Sequence, residues 1–176
     1  MSTGLSPAHL LAHPPFRARA YPQAWSKIVS SGFTGPWSQN AEELALFEQF
    51  YQAQTDGVFV EMGALDGRLG SNTIAFESVL NWTGVLIEAN PDMCMKLKRN
   101  RPKATVLCTA TSADSKPVTF QRGRYSSTFG EQRQMDASFR QRFSHVSSPE
   151  VSVPSAPLGY LLRMTGLSCV QSRASH

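Results

Sequence analysis

The sequence predicts an α/β chain whose centre is a parallel β-α-β-α-β unit. Three observations lead there. Short β-favouring runs recur along the middle of the chain, at Val58-Phe59-Val60, Val85-Leu86-Ile87 and Thr105-Val106-Leu107-Cys108. Two stretches carrying helix start and stop signals separate them. The first two runs each close on an acid, Glu61 and Glu88, and Gly63, Gly67 and Gly70 follow the first at once. Strands alternating with helices in this way form a right-handed parallel unit with helices on the sheet faces.

The first 41 residues contain no Asp or Glu but include Arg17, Arg19, Lys27 and the prolines Pro7, Pro14, Pro15 and Pro22. This composition reads as a flexible leader over 1–37, with an organelle transit peptide as the alternative to a cytoplasmic default. Order is expected from Ser38. Asn40 with Glu43 fits an N-terminal capping arrangement, in which the Asn side chain accepts a backbone N–H and the Glu reaches back. Leu44, Phe47 and Tyr51, with Leu46 and Phe50 beside them, then line a helix to about Ala53, which Thr55-Asp56-Gly57 ends.

After the first strand, Ser71 or Asn72 is expected to cap a helix from Thr73 to Leu80, ended by Asn81 and Gly84. Asn90-Pro91 reads as N-cap and first position of a helix to Asn100. Its last turn carries Lys96, Lys98 and Arg99, as the helix dipole favours, and Pro102 stops it. Val118 to Gln121 fits a strand. The stretch 121–157, rich in Ser, Arg, Gln and Pro, reads as a long loop. A short helix is expected from Pro157 through Leu158, Leu161 and Leu162 to Gly166, with a tail after it. The division is therefore leader 1–37, ligand-binding core 38–120, loop 121–157, and helix with tail 158–176.

Composition narrows the function classes. The chain has 176 residues, 41% hydrophobic and 17% charged, enough for one buried core. No run approaches the roughly 18 apolar residues of a membrane-spanning helix. Cys94, Cys108 and Cys169 are odd in number and widely spaced without a C-x-x-C, so reduced, buried thiols are expected rather than a disulfide framework or a zinc site. The net charge of +4 divides into −4 from Glu42 to Asp114 and +8 in the flanks, which speaks against a uniformly basic nucleic-acid binder. His9, His13, His145 and His176 show no metal-binding spacing.

A glycine-rich turn between a strand and a helix lets backbone approach a ligand closely. In a parallel sheet the carboxyl ends of neighbouring strands line one crevice, so Glu61 and Glu88 should share a rim. The turn lacks the Gly-Lys-Ser/Thr of a phosphate loop, and its glycines are spaced unlike a dinucleotide fingerprint. Glu61 and Asp66 would also place negative charge where a pyrophosphate must sit. Two acids beside a glycine turn instead suit a cationic nucleoside such as S-adenosylmethionine, whose ribose diol can donate two hydrogen bonds to one carboxylate.

The stretch Gly57-Val-Phe-Val-Glu-Met-Gly-Ala-Leu-Asp-Gly, followed by Ser71-Asn72-Thr73, Trp82-Thr-Gly-Val-Leu-Ile-Glu-Ala-Asn-Pro91 and Asn100-Arg101-Pro102, closely resembles the FkbM-type S-adenosylmethionine-dependent methyltransferases. Ser38-Gln39 with Glu42 and Glu43 is similar to that family's lead-in helix. The resemblance covers roughly 38–120 and implies a partial Rossmann-like, class I methyltransferase sheet with an N-terminal helix and an irregular C-terminal part. It implies that Gly63, Asp66 and Gly67 form the turn under the cofactor's methionine moiety, with Glu61 at its entrance and Glu88 on the ribose hydroxyls. Asn72 would order the turn and cap the helix, and Asp114 with the 109–111 backbone would approach the adenine. No side chain is assigned to removing the acceptor's proton, and no metal is expected.

The family's members act on hydroxyl oxygens of sugars, lipids and other small metabolites, so a small-molecule hydroxyl is the implied substrate, with no nucleic-acid partner. The sequence departs from the family after Asp114, where no acidic fourth-strand motif follows. The 62 residues after it fall short of the roughly 85 that four strands, three helices and their loops need. A shortened form is the expected reading, with the first strand left open at one edge for self-association. A truncated cofactor-binding or interaction module without catalysis is the alternative. Trp82 is expected to pack on the sheet rather than stack on adenine.

Overall fold

A computed structural model describes residues 6–35, 38–51, 54–121, 129–131, 136–137 and 150–167. At its centre lies a three-stranded parallel sheet, β1 (Val58–Met62), β2 (Thr83–Ile87) and β3 (Thr105–Leu107), ordered β1-β2-β3. Val58 pairs with Thr83 and Met62 with Ile87, while Val85 pairs with Thr105. Helix α4 (Ile74–Leu80) joins the first two strands and α5 (Pro91–Asn100) the second two. The architecture is thus mixed α/β with a small parallel sheet.

Helix α5 follows its local signals throughout. The Asn90 side chain accepts from the N–H groups of Asp92 (3.0 Å) and Met93 (3.5 Å), Pro91 opens the first turn, and Lys98 and Arg99 lie in the last. Met93, Cys94 and Leu97 form its buried face.

The expected flexible leader is a correction. Residues 7–30 contain helix α1 (Pro7–Ala12), a 3₁₀ turn (Phe16–Ala20) and helix α2 (Pro22–Ser30). Leu10, Trp25, Ile28 and Val29 are buried in one core with Leu44, Phe47, Phe59, Phe76, Leu86 and Leu97. The physical reason is a distant cap. Helix α2 has no acid in its first turn, and the Glu48 carboxylate instead accepts from the N–H groups of Gln23 (3.1 Å) and Ala24 (3.0 Å).

Helix α3 (Glu42–Leu46) runs into a π-helical turn (Phe47–Tyr51). The reach-back by Glu43 occurs, but Asn40 is not the cap. Ser38 Oγ accepts from the Glu42 N–H (2.9 Å), while Glu43 accepts from the Ser38 N–H (3.1 Å) and from Ser38 Oγ. Asn40 instead gives its N–H and amide to the Glu42 carboxylate (2.8 and 2.9 Å).

Neighbouring acids on this turn titrate in opposite directions. Burial opposes the charge on Glu42, yet the donors from Ser38 and Asn40 outweigh it and hold the carboxyl at about 2. Burial pushes Glu43 up, against the donors from Ser38. Glu42 therefore contributes stability above its ordinary value of 4.5, lost as pH falls through about 2. Glu43 contributes stability below its ordinary value, lost as pH rises through its raised one. Urea denaturation across this range should show the wild type's advantage growing with pH over Glu42→Gln and shrinking with pH over Glu43→Gln. Parallel trends would contradict the assignment.

Several expectations fall partly on residues outside the described set: the leader at 1–5 and 36–37, the helix end at 52–53, the stretch 121–157, and the tail with Cys169. Of the stretch 121–157, most described residues are not loop. They are strands β6 (Phe129–Glu131), β7 (Glu150–Val153) and β8 (Ser155–Ala156). Strand β5 (Val118–Gln121) pairs antiparallel with both β6 and β7, and β8 pairs parallel with β4 (Ala110–Thr111). Short strands separated by polar residues carry little periodic signal, which is why they read as loop. The final helix, α6 (Leu158–Met164), begins after Pro157 as expected. Its Leu161 joins Ala156 over Val85 and Ile87, forming a second core on the opposite sheet face. The tail 168–176 lies outside the described residues.

Cys94 and Cys108 are not free thiols. They form a disulfide across 14 residues, with their Cα atoms 5.6 Å apart. It links the second turn of α5 to the exit of β3, a juxtaposition that spacing alone does not announce.

Candidate functional site

Because β1 and β2 run parallel, with Glu61 opposite Leu86 and Met62 opposite Ile87, Glu61 and Glu88 emerge at the same end of the sheet. The turn after β1 folds back over the tip of β2. Gly63 and Ala64 donate their N–H groups to the Ile87 carbonyl (2.9 and 3.2 Å), and Leu65 donates its N–H to Glu88 Oε2 (2.8 Å). Gly63 sits at φ +70, where glycine is favoured, and a β-carbon there would meet nothing within 4 Å. Space above this residue is therefore open.

Glu88 is enclosed, at 2% exposure. Its Oε1 accepts from the Asn90 N–H (2.7 Å). Burial pushes its carboxyl up, with the backbone donors of Asn90 and Leu65 pulling the other way. Its main chain is held by the exit of β3, giving its N–H to the Leu107 carbonyl (3.0 Å) and accepting from the Thr109 N–H (3.1 Å). Glu88 stands on the shared rim as expected, but the turn after β1 closes over it and two backbone N–H groups, of Leu65 and Asn90, occupy its oxygens.

Glu61, half-buried, accepts from Ser71 Oγ (2.9 Å), the Asn72 N–H (3.2 Å) and Thr73 Oγ1. This reverses the expected capping. Thr73 is the N-cap of α4 and makes no side-chain cap bond. Ser71, Asn72 and Thr73 instead organise the Glu61 carboxylate.

The residue that sequence reasoning left without a role is Arg101. It is 1% exposed and pairs with Glu77, its Nη2 lying 2.9 Å from Glu77 Oε2. It also donates to the Gly67 carbonyl (3.1 Å), Ser71 Oγ (3.1 Å) and Thr73 Oγ1 (3.1 Å). One guanidinium thus ties the glycine turn, the donors of Glu61 and helix α4 together. Its position beside Asn100 and Pro102 was the available signal, but a basic residue there also satisfies the helix dipole.

Asp66 organises the turn itself, its Oδ1 accepting from the N–H groups of Arg68 (3.0 Å) and Leu69 (2.8 Å). Gly67 has a different purpose from the expected close approach of a ligand. At φ +76, a β-carbon there would lie 2.4 Å from Leu97 Cδ1 and 2.7 Å from Arg101 Cγ, so the position is kept clear for α5.

Asp114 stands apart from these residues. It is exposed and engages Lys116, accepting its N–H (3.1 Å) and lying 3.3 Å from its Nζ; these donors hold its carboxyl below the usual range. The neighbouring Thr109 gives its hydroxyl to the Pro154 carbonyl (2.9 Å). The site therefore unites Gly63, Asp66, Gly67 and Glu88 with Glu61 and Asn72 at its flank, and no contact among the described residues joins Asp114 to it.

Among the described residues, no group of three or more His, Cys, Asp or Glu could hold a metal ion, and no helix is long and apolar enough to cross a membrane. Compared with known proteins, the chain matches no family model, no curated protein and no solved structure.

Proposed function

We propose that this chain is the cofactor-binding part of an FkbM-type methyltransferase with a partial Rossmann-like sheet, using S-adenosylmethionine to methylate a hydroxyl of a small molecule or sugar. The observation that carries this reading is the glycine turn 63–67 seated on Glu88 at the shared end of two parallel strands. Nothing in that turn offers a cation to a phosphate, while Glu88 Oε2 becomes an acceptor for a ribose hydroxyl once the Leu65 N–H releases it.

The residues fit the cofactor after one rearrangement. Glu88 must exchange the Leu65 N–H for a ribose hydroxyl, and Gly63 leaves its α-carbon side clear for the methionine moiety. When bound, the cofactor supplies an electrophilic methyl carbon and a neutral thioether leaving group. The chain's own part is binding and orientation. Glu61 fixes the turn's far end through Ser71 and Thr73, Asp66 sets its curvature, and Arg101 anchors both.

Isothermal titration with S-adenosylhomocysteine tests the reading. Binding is expected for the wild type and a loss of at least tenfold for Glu88→Ala. Glu88→Gln, which keeps one acceptor oxygen for the backbone donors, separates lost ligand contact from lost folding. Absence of heat with folded wild type in both its oxidised and its reduced form would remove the proposal.

A second reading, a non-catalytic interaction module that self-associates, is favoured by the open edge of β1. No described strand pairs with that edge, and Val58, Val60 and Met62 are 49%, 43% and 55% exposed. Methyl transfer by the purified chain to a hydroxyl acceptor would contradict it.

A further inference from the structure

The turn after β1 covers the Glu88 carboxylate through the Leu65 N–H, and the two other elements around Glu88 are the ones the disulfide joins. On one side is the first turn of α5: Asn90 gives its N–H to Glu88 Oε1, and its carbonyl accepts from the Cys94 N–H (2.8 Å). On the other is the exit of β3, where Leu107 and Thr109 bracket the Glu88 main chain and Cys108 lies between them. The bond Cys94–Cys108 closes this ring covalently. Cys94 is fully buried whereas Cys108 is an exposed residue, so Cys108 is the end at which an external thiolate arrives.

We propose that Cys94 and Cys108 form a thiol–disulfide switch controlling access to Glu88. The oxidised pair fixes Asn90 and the β3 exit on either side of Glu88, and reduction by an external dithiol loosens this frame so that the carboxylate can leave the Leu65 N–H. This rests on the reading of Glu88 as the nucleoside contact. One sulfur of the dithiol attacks Cys108 Sγ as a thiolate, the Cys94–Cys108 bond breaks, and Cys94 leaves as a thiolate that takes up a proton. The second sulfur of the dithiol then attacks the first, releasing Cys108 as a thiol. The reductant ends as a disulfide, and two electrons and two protons have passed to the pair.

With the cross-link gone, the β3 exit and the N-terminal half of α5 can separate. The share of molecules with an accessible carboxylate rises, and apparent ligand affinity rises by the same factor.

Carbodiimide labelling of carboxylates under native conditions tests this directly, with dithiothreitol as the reductant. Glu43 serves as internal control, because it is as deeply buried as Glu88, at 1%, but lies on α3. Reduction is expected to raise labelling of Glu88 at least tenfold while Glu43 stays unlabelled. The variant Cys94→Ser/Cys108→Ser should reproduce the reduced pattern without reductant; the wild-type redox pair decides the question should that variant fail to fold.

Unchanged labelling of Glu88 would overturn the switch, as would a parallel rise at Glu43, which marks general loosening. Titration of both redox forms with S-adenosylhomocysteine separates the two claims. At least tenfold tighter binding to the reduced form supports both. Equal binding to both forms overturns the switch and leaves the cofactor reading standing. Glu88 labelling that rises on reduction without any binding supports a redox-opened carboxylate and removes the cofactor reading.

Discussion

Arg101→Met is expected to lower the unfolding free energy by about 3–5 kcal/mol, the usual range when one partner of a buried ion pair is removed. The Glu77 carboxylate, itself buried, would lose its counter-charge. The Gly67 carbonyl and the hydroxyls of Ser71 and Thr73 would lose donors in the same step. Urea denaturation measures the loss. The double variant Arg101→Met/Glu77→Leu should recover part of it, because the stranded charge is then gone. Failure to recover would locate the cost in the glycine turn. S-adenosylhomocysteine binding should weaken in both variants, since the donors that hold Glu61 lose their anchor.

Trp82→Ala is expected to cost about 3–5 kcal/mol, as large aromatic truncations in a core do. The indole is 7% exposed and packs with its ring centroid 5.0 Å from those of Tyr51 and Phe76. Its Nε1–H donates to the Gln54 carbonyl (2.7 Å), and Gly57 lies so close beneath that a β-carbon there would sit 2.4 Å from Trp82 Cε2. Trp82→Phe should lose less, keeping ring contacts while forfeiting the hydrogen bond. Because this cluster lies on the side of α4 and the start of β2, thermal unfolding should register the change more strongly than ligand titration does.

How far the sequence could be read depended on how local each determinant was. Helix α5 was legible from end to end because its cap, its proline and its basic last turn all lie within the helix or one residue before it. The three parallel strands announced themselves as apolar runs bounded by turn residues. Helix α2 did not, because the carboxylate that caps it belongs to Glu48, 25 residues beyond Gln23. Arg101 was passed over for the same reason: its partners Glu77 and Gly67 are 24 and 34 residues away. The pairing of Val118 with Val153 was equally hidden from any short window. Within the site, Glu61, Gly63, Asp66, Gly67, Asn72 and Glu88 could be gathered from strand ends and turn residues. What each one touches could not: Glu88 meets backbone N–H groups, and Gly67 meets a leucine and an arginine.

The Glu48 bond to α2 has a practical outcome for anyone trimming the chain. A proteolytic nick between α2 and Ser38 would cut the backbone but leave Trp25, Ile28 and Val29 seated among Leu44, Phe47 and Leu86. The severed N-terminal piece should therefore co-elute with the remainder on a sizing column and come away only in denaturant.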